Sequence, residues 1–169
     1  MRRRSLAGVT LIELLVVVVL VGILAAVAVP SYSAYVVRGQ RAAAKTALMQ
    51  AAEYLERNYT SNGCYNYGVP ADCQLQTGTP VALPSALNNA PTDGGKFTYV
   101  LGLTFPASGV GVVLGQAYAL TATPCSEGSC PAPTSNTTFA DPGCGILSLT
   151  NAGVKDAEVT ANAATCWQH

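Results

Sequence analysis

The sequence predicts an α+β chain, with one long N-terminal helix, apolar in its first half and amphipathic in its second. The helix packs on a small antiparallel β-sheet, and disulfides staple the fold. Three observations predict it. Leu14 to Val29 is an apolar run closed by Pro30. Further on, helical periodicity gives way to period-two alternation around residue 100. Six cysteines in 169 residues point to an oxidising compartment and a small, bridged domain.

The first element is the apolar one. As a helix, Val9 to Val29 would be roughly 30 Å long, about one bilayer core. Half of all residues are hydrophobic and only 11% are charged, a composition that leans toward the membrane. Glu13 is the one charge between Arg4 and Arg38. A carboxylate inside such a segment costs about 2.5–3.5 kcal/mol if central, and so marks function. Arg2, Arg3 and Arg4 precede the run and should stay cytoplasmic, sending the chain beyond Pro30 across the membrane. All six cysteines lie on that far side. Two readings of this segment compete. One is an ordinary secretory signal cut at Ala26-Val27-Ala28. The other is a retained helix, because Glu13 interrupts the apolar region and the helical pattern continues past Pro30. Gly22 and Pro30 punctuate it. Glycine costs about 1 kcal/mol inside a helix, and proline removes a hydrogen bond and kinks the rod, although membrane helices tolerate both.

From Ser31 the helix is expected to continue to about Tyr59. Val37, Ala44, Leu48, Ala52, Leu55 and Tyr59 recur at helical spacings and form one apolar stripe suited to a sheet. Arg38, Gln40, Arg41, Lys45, Glu53 and Arg57 occupy other faces, with Glu53 and Arg57 one turn apart as an ion pair. Asn62-Gly63 supplies turn chemistry that ends the element.

Residues 64–95 read as an irregular connection in which Cys64 and Cys73 bracket a polar loop. Phe97, Tyr99, Leu101, Leu103 and Phe105 alternate over Lys96 to Phe105, the clearest strand in the chain. Gln116 to Thr123 and Gly145 to Thr150 are two more strands, the latter stopped by Asn151-Ala152-Gly153. Between them, Pro124 to Pro142 lacks periodicity and holds Cys125, Cys130 and a Pro/Ser/Thr tract. Beyond Asn58 only Lys96 and Lys155 are basic. Asp72, Asp93, Glu127, Asp141, Asp156 and Glu158 oppose them, a formal charge of −4. That balance argues against a nucleic-acid-binding head, leaving only a local patch from Lys96 and Lys155 as a basic footprint.

Gly8-Val9-Thr10-Leu11-Ile12-Glu13 and the apolar run after it resemble the leader of type IV prepilins and pseudopilins. The resemblance implies cleavage between Gly8 and Val9 by a prepilin peptidase and N-methylation of Val9, where the family usually carries Phe. Residues 1–8 are then a leader, 9–30 the transmembrane and assembly half of the helix, and 31–169 the head, including the amphipathic half. The resemblance implies that Glu13 pairs with the new N-terminal amine of a neighbouring subunit. Pairing with the chain's own Val9 amine, one turn away, is the local alternative. It also gives Gly22 and Pro30 a role, bracketing a stretch that can lose helicity on assembly. Tyr118 to Pro124, Cys144 to Thr150 and Cys166-Trp167 are similar to the C-terminal half of the PilE-like, minor-pilin branch, which implies a Cys144–Cys166 bridge closing the terminal loop. With that bridge, the simplest nested set adds Cys64–Cys73 and Cys125–Cys130.

Zinc is the rival use of these thiols, but paired CxxC spacing is lacking and the one histidine is His169. No metal or cofactor is expected. Nucleophile elbows, phosphate loops and paired carboxylates are missing too, so no enzyme is expected. Asn58-Tyr59-Thr60 and Asn136-Thr137-Thr138 match glycosylation sequons. The resemblance implies a pilus structural subunit that resides in the inner membrane and is then polymerised into a surface filament for adhesion, twitching or DNA uptake. Its partners would be other pilin subunits, the prepilin peptidase and the inner-membrane assembly platform. A DNA-uptake receptor on a competence pilus and a type II secretion pseudopilin are the alternatives.

Overall fold

The computed structural model describes residues 10–75, 78–92, 96–106, 115–125, 139–159 and 163–168. Helix α1 runs over Leu11–Asn62, 52 residues, continuous through Gly22 and Pro30. Contacts divide the chain into two units, one reaching to Val37 and the other beginning at Arg38. In the first unit, the large apolar side chains from Leu11 to Val29 are between 48% and 83% exposed. That part of α1 is long and apolar enough to cross a membrane.

The second unit holds the sheet. Its strands are β1 (Asn89–Ala90), β2 (Tyr99–Thr104), β3 (Ala119–Pro124), β4 (Leu147–Thr150) and β5 (Lys155–Ala157). They lie side by side in chain order, each antiparallel to the next. Register aligns Leu101, Ala122, Leu147 and Ala157 across four strands, and Leu103, Leu120, Leu149 and Lys155 in the neighbouring row. The first row is buried throughout, whereas Lys155 ends the second at an exposed edge. From α1, Ala44, Ala47, Leu48, Ala51 and Leu55 are buried in the same core. Three of these five are alanines, which bring the helix backbone close to the sheet while Leu48 and Leu55 fill the space between.

Helix α1 ends where the turn chemistry places it. Gly63 adopts a left-handed φ of +85°, and its N–H donates to the Tyr59 carbonyl at 2.8 Å. The irregular region at 64–95 contains elements that the sequence left out: α2 (Pro70–Leu75), a 3-10 turn at Ser85–Leu87, and β1. Each is too short to show a period. Beyond β4, the Asn151-Ala152-Gly153 stop proves to be a hairpin turn into β5, with Gly153 at φ +74° and its N–H donating to the Thr150 carbonyl. A short helix, α3 (Ala163–Gln168), packs on β5. Expected strands at Lys96 to Phe105, Gln116 to Thr123 and Gly145 to Thr150 are shorter or shifted, because regular pairing starts only where the register of β2, β3 and β4 is shared.

Candidate functional site

At the start of α1, Thr10 caps the helix. The Glu13 N–H donates to Thr10 Oγ1 at 3.3 Å and the Leu14 N–H to the Thr10 carbonyl at 3.2 Å. The spacing is that of a capping box, Thr10-Leu11-Ile12-Glu13, a signal present in the sequence but obscured by its leader character. A carboxylate in the first turn also favours the positive end of the helix dipole. Glu13 stands as the lone charge among exposed apolar side chains. Gly8 and Val9, and with them the expected cleavage point, lie outside the described residues.

In the second unit a charged cluster ties α1 to the segment ahead of β4. Arg41 Nε and Nη2 donate to Asp141 Oδ2 and Oδ1 at 2.8 and 2.6 Å. The Tyr99 hydroxyl donates to Oδ2 at 2.7 Å, and the Cys144 N–H to Oδ1 at 3.2 Å. The Asp141 side chain is fully buried, with every oxygen engaged. Burial alone would raise its carboxyl, but hydrogen bonds from Arg41 and Tyr99 and the Arg41 charge hold it below the ordinary value. Burial, and then the bond to Asp141, push the Tyr99 hydroxyl far upward. Arg41, expected on a polar face, is thus turned inward. No local spacing could reveal that, since its partner is a hundred residues away. Glu53 and Arg57 do pair on the surface, at 3.0 Å.

Aromatic packing supports the far end of α1. Tyr59 stacks on Tyr65 at 4.6 Å, and Tyr65 meets Tyr118 edge-on at 4.8 Å. Glu56 accepts from the hydroxyls of Tyr65 and Tyr118 at 3.0 and 3.3 Å. Burial first, and then this carboxylate, raise the Tyr65 hydroxyl to about 12.

Disulfides close the two ends of the head. Cys64–Cys73 closes the connection after α1, and Cys144–Cys166 ties the start of the β4 segment to α3. Cys125 is disulfide-bonded as well, while Cys130, its expected partner, lies outside the described residues. The Cys144–Cys166 bridge fixes α3 over the edge of the sheet and brings two lysines together on it. Lys45 of α1 donates to the Cys166 carbonyl at 3.3 Å. The Lys155 ammonium sits 5.4 Å from the Trp167 ring centre, and Trp167 Nε1 donates to the Asp156 carbonyl at 2.9 Å. Desolvation, then the charges of Arg41 and Lys155, lower the Lys45 ammonium from its ordinary value. The expected grouping of Lys155 with Lys96 is not what the sheet builds. Lys96 precedes β2 while Lys155 lies in β5, with β3 and β4 between.

An exposed apolar helix bearing one carboxylate, and an antiparallel sheet stapled by disulfides with the same helix's second half in its core, together define a type IV pilin. The model of the prokaryotic N-terminal methylation motif matches residues 3–29, spanning Gly8, Val9 and Glu13. The family model described as type IV minor pilin ComP, DNA uptake sequence receptor, matches residues 30–148. The chain belongs to this family of type IV minor pilins.

Proposed function

We propose that this minor pilin is cut between Gly8 and Val9 and methylated at Val9. It is held in the inner membrane by residues 9–30 and then drawn into an extracellular filament by the same helix. The observation that carries this reading is the 11–29 segment, whose apolar side chains are exposed and which bears a single carboxylate. Such a surface is stable only in lipid or against other helices. Within either, Glu13 requires a cation, and cleavage at Gly8 creates one in the Val9 amine. The prepilin peptidase, the assembly platform and neighbouring pilins are the partners this route needs, and Gly22 and Pro30 are where the helix would yield on assembly. Substituting Glu13→Val tests the reading. Processing at Gly8 is expected to continue while the variant stays in the membrane and is depleted from sheared filaments. Normal incorporation would defeat the assignment.

A second layer of function is capture of DNA by the head. It is favoured by the family description, DNA uptake sequence receptor, and by the convergence of Lys45 and Lys155 on α3. A formal charge of −4 beyond Asn58 counts Lys155 but not Lys45 of α1, so the sum conceals the pairing. Binding of duplex DNA by the full chain in neutral detergent at low salt tests it. Absence of binding at micromolar protein would leave a filament subunit without a receptor role.

A further inference from the structure

We propose that Lys45, Lys155 and Trp167 form a phosphate-backbone contact for duplex DNA, on the face where α1, β5 and α3 meet. The inference rests on the DNA-capture reading above and assigns it a place. Two of the three residues, Lys155 and Trp167, lie beyond residue 148, where the family match ends.

The geometry is built from the strands upward. Lys155 pairs in register with Leu149 and ends the row Leu103, Leu120, Leu149 on the helix-facing side of the sheet. Alternation turns the neighbouring Asp156 to the other face, where it pairs with Ser148 and its Oδ1 accepts from the Ala157 N–H. Its carboxylate therefore does not neutralise Lys155. Glu158 is likewise engaged elsewhere, accepting from the Ile146 N–H at 3.1 Å. Lys45 reaches the same place from α1, held by the Cys166 carbonyl, and Arg41 beside it is already satisfied by Asp141. Among the described residues no carboxylate pairs with either lysine. Lys45 is partly desolvated, and the positive charges of Arg41 and then Lys155 add to the cost of its ammonium, a cost that a phosphodiester would relieve. The Trp167 indole braces Lys155 and offers a flat apolar edge to a sugar. Such contacts position a duplex without reading its sequence.

The test uses the full chain in neutral detergent and a fluorescent duplex, with affinity followed across a salt series. Each phosphate neutralised contributes about 0.9 to the slope of log affinity against log salt. Lys45→Gln combined with Lys155→Gln is expected to reduce that slope by about 1.8 and to weaken binding by the same factor for every sequence tried. Lys96→Gln is expected to leave the slope unchanged. Trp167 is the sole tryptophan, so its emission should change on DNA addition to the unsubstituted chain. An unchanged slope in the double variant, with the unsubstituted chain still binding, would overturn this assignment and leave DNA capture standing. Failure of the unsubstituted chain to bind would overturn both. Loss of binding to anionic phospholipid vesicles, but not to duplex, would move the site to lipid and overturn it also. Lys45→Arg with Lys155→Arg should restore the slope, which a merely structural role for the ammoniums would not require.

Discussion

Arg41 and Asp141, a hundred residues apart, meet in a two-pronged ion pair with nitrogen–oxygen distances of 2.6 and 2.8 Å. It joins the middle of α1 to the turn that enters β4, immediately before Cys144. The Tyr99 hydroxyl and the Cys144 N–H complete the carboxylate's bonds, so the buried charge is fully compensated.

Removing one partner should therefore cost far more than removing a surface pair. Arg41→Ala leaves a buried carboxylate without its cation and is expected to destabilise the head by about 3 kcal/mol or more. Arg57→Ala, which breaks the exposed pair with Glu53, is expected to cost about 0.5 kcal/mol or less. Thermal unfolding followed by near-ultraviolet circular dichroism separates the two.

The same cluster sets an acid dependence. The Asp141 carboxyl is held below its ordinary value of 3.8 in the folded chain. Its contribution is thus complete above that value and is lost as pH falls through the lower, folded-state value. Stability measured from pH 5 downward should fall for the unsubstituted protein. Asp141→Asn should start lower and lose the part of the slope that this carboxylate supplies. An identical acid slope in the variant would mean that Asp141 is not linked to folding.

The terminal bridge should matter to stability and to the basic face alike. Replacing Cys144 and Cys166 with serine is expected to cost about 2–4 kcal/mol, through the freed unfolded chain. It should also loosen α3, so that Trp167 emission shifts toward that of solvent-exposed indole. A stability loss without any change in emission would separate the bridge from the placement of α3.

In the core, Leu48→Ala removes a fully buried side chain between α1 and the sheet, and is expected to cost about 2–5 kcal/mol. Met49→Ala, on the exposed neighbour, should cost under about 0.5 kcal/mol. Chemical denaturation of both variants in one detergent gives the comparison.

What could be read from the sequence follows the length of each signal. The apolar run, the stripe through Ala44, Leu48 and Leu55, the Asn62-Gly63 stop and the alternation through Tyr99 and Leu101 each repeat often enough to announce an element. Ala47 and Ala51 belong to the buried face as well, but alanine's weak hydrophobicity hides it in a pattern search. The two residues of β1, three of β5 and six of α3 complete no period, and only the sheet gives them a role. The Cys144–Cys166 pairing was legible through family resemblance rather than spacing. The meeting of Arg41 with Asp141 and the convergence of Lys45 and Lys155 on α3 are tertiary, and none of these residues carries a local mark of the other. The acidic sum of the head conceals the face where Lys45 and Lys155 converge on α3.

On the proposed route the apolar helix is kept in the mature protein and only residues 1–8 are lost. Intact mass of the protein extracted from membranes tests this most directly. The expected mass is that of a chain beginning at Val9, heavier by one methyl group and lighter by one hydrogen at each of its six cysteines. A chain beginning after Ala28, lacking Glu13 and the helix around it, would contradict it.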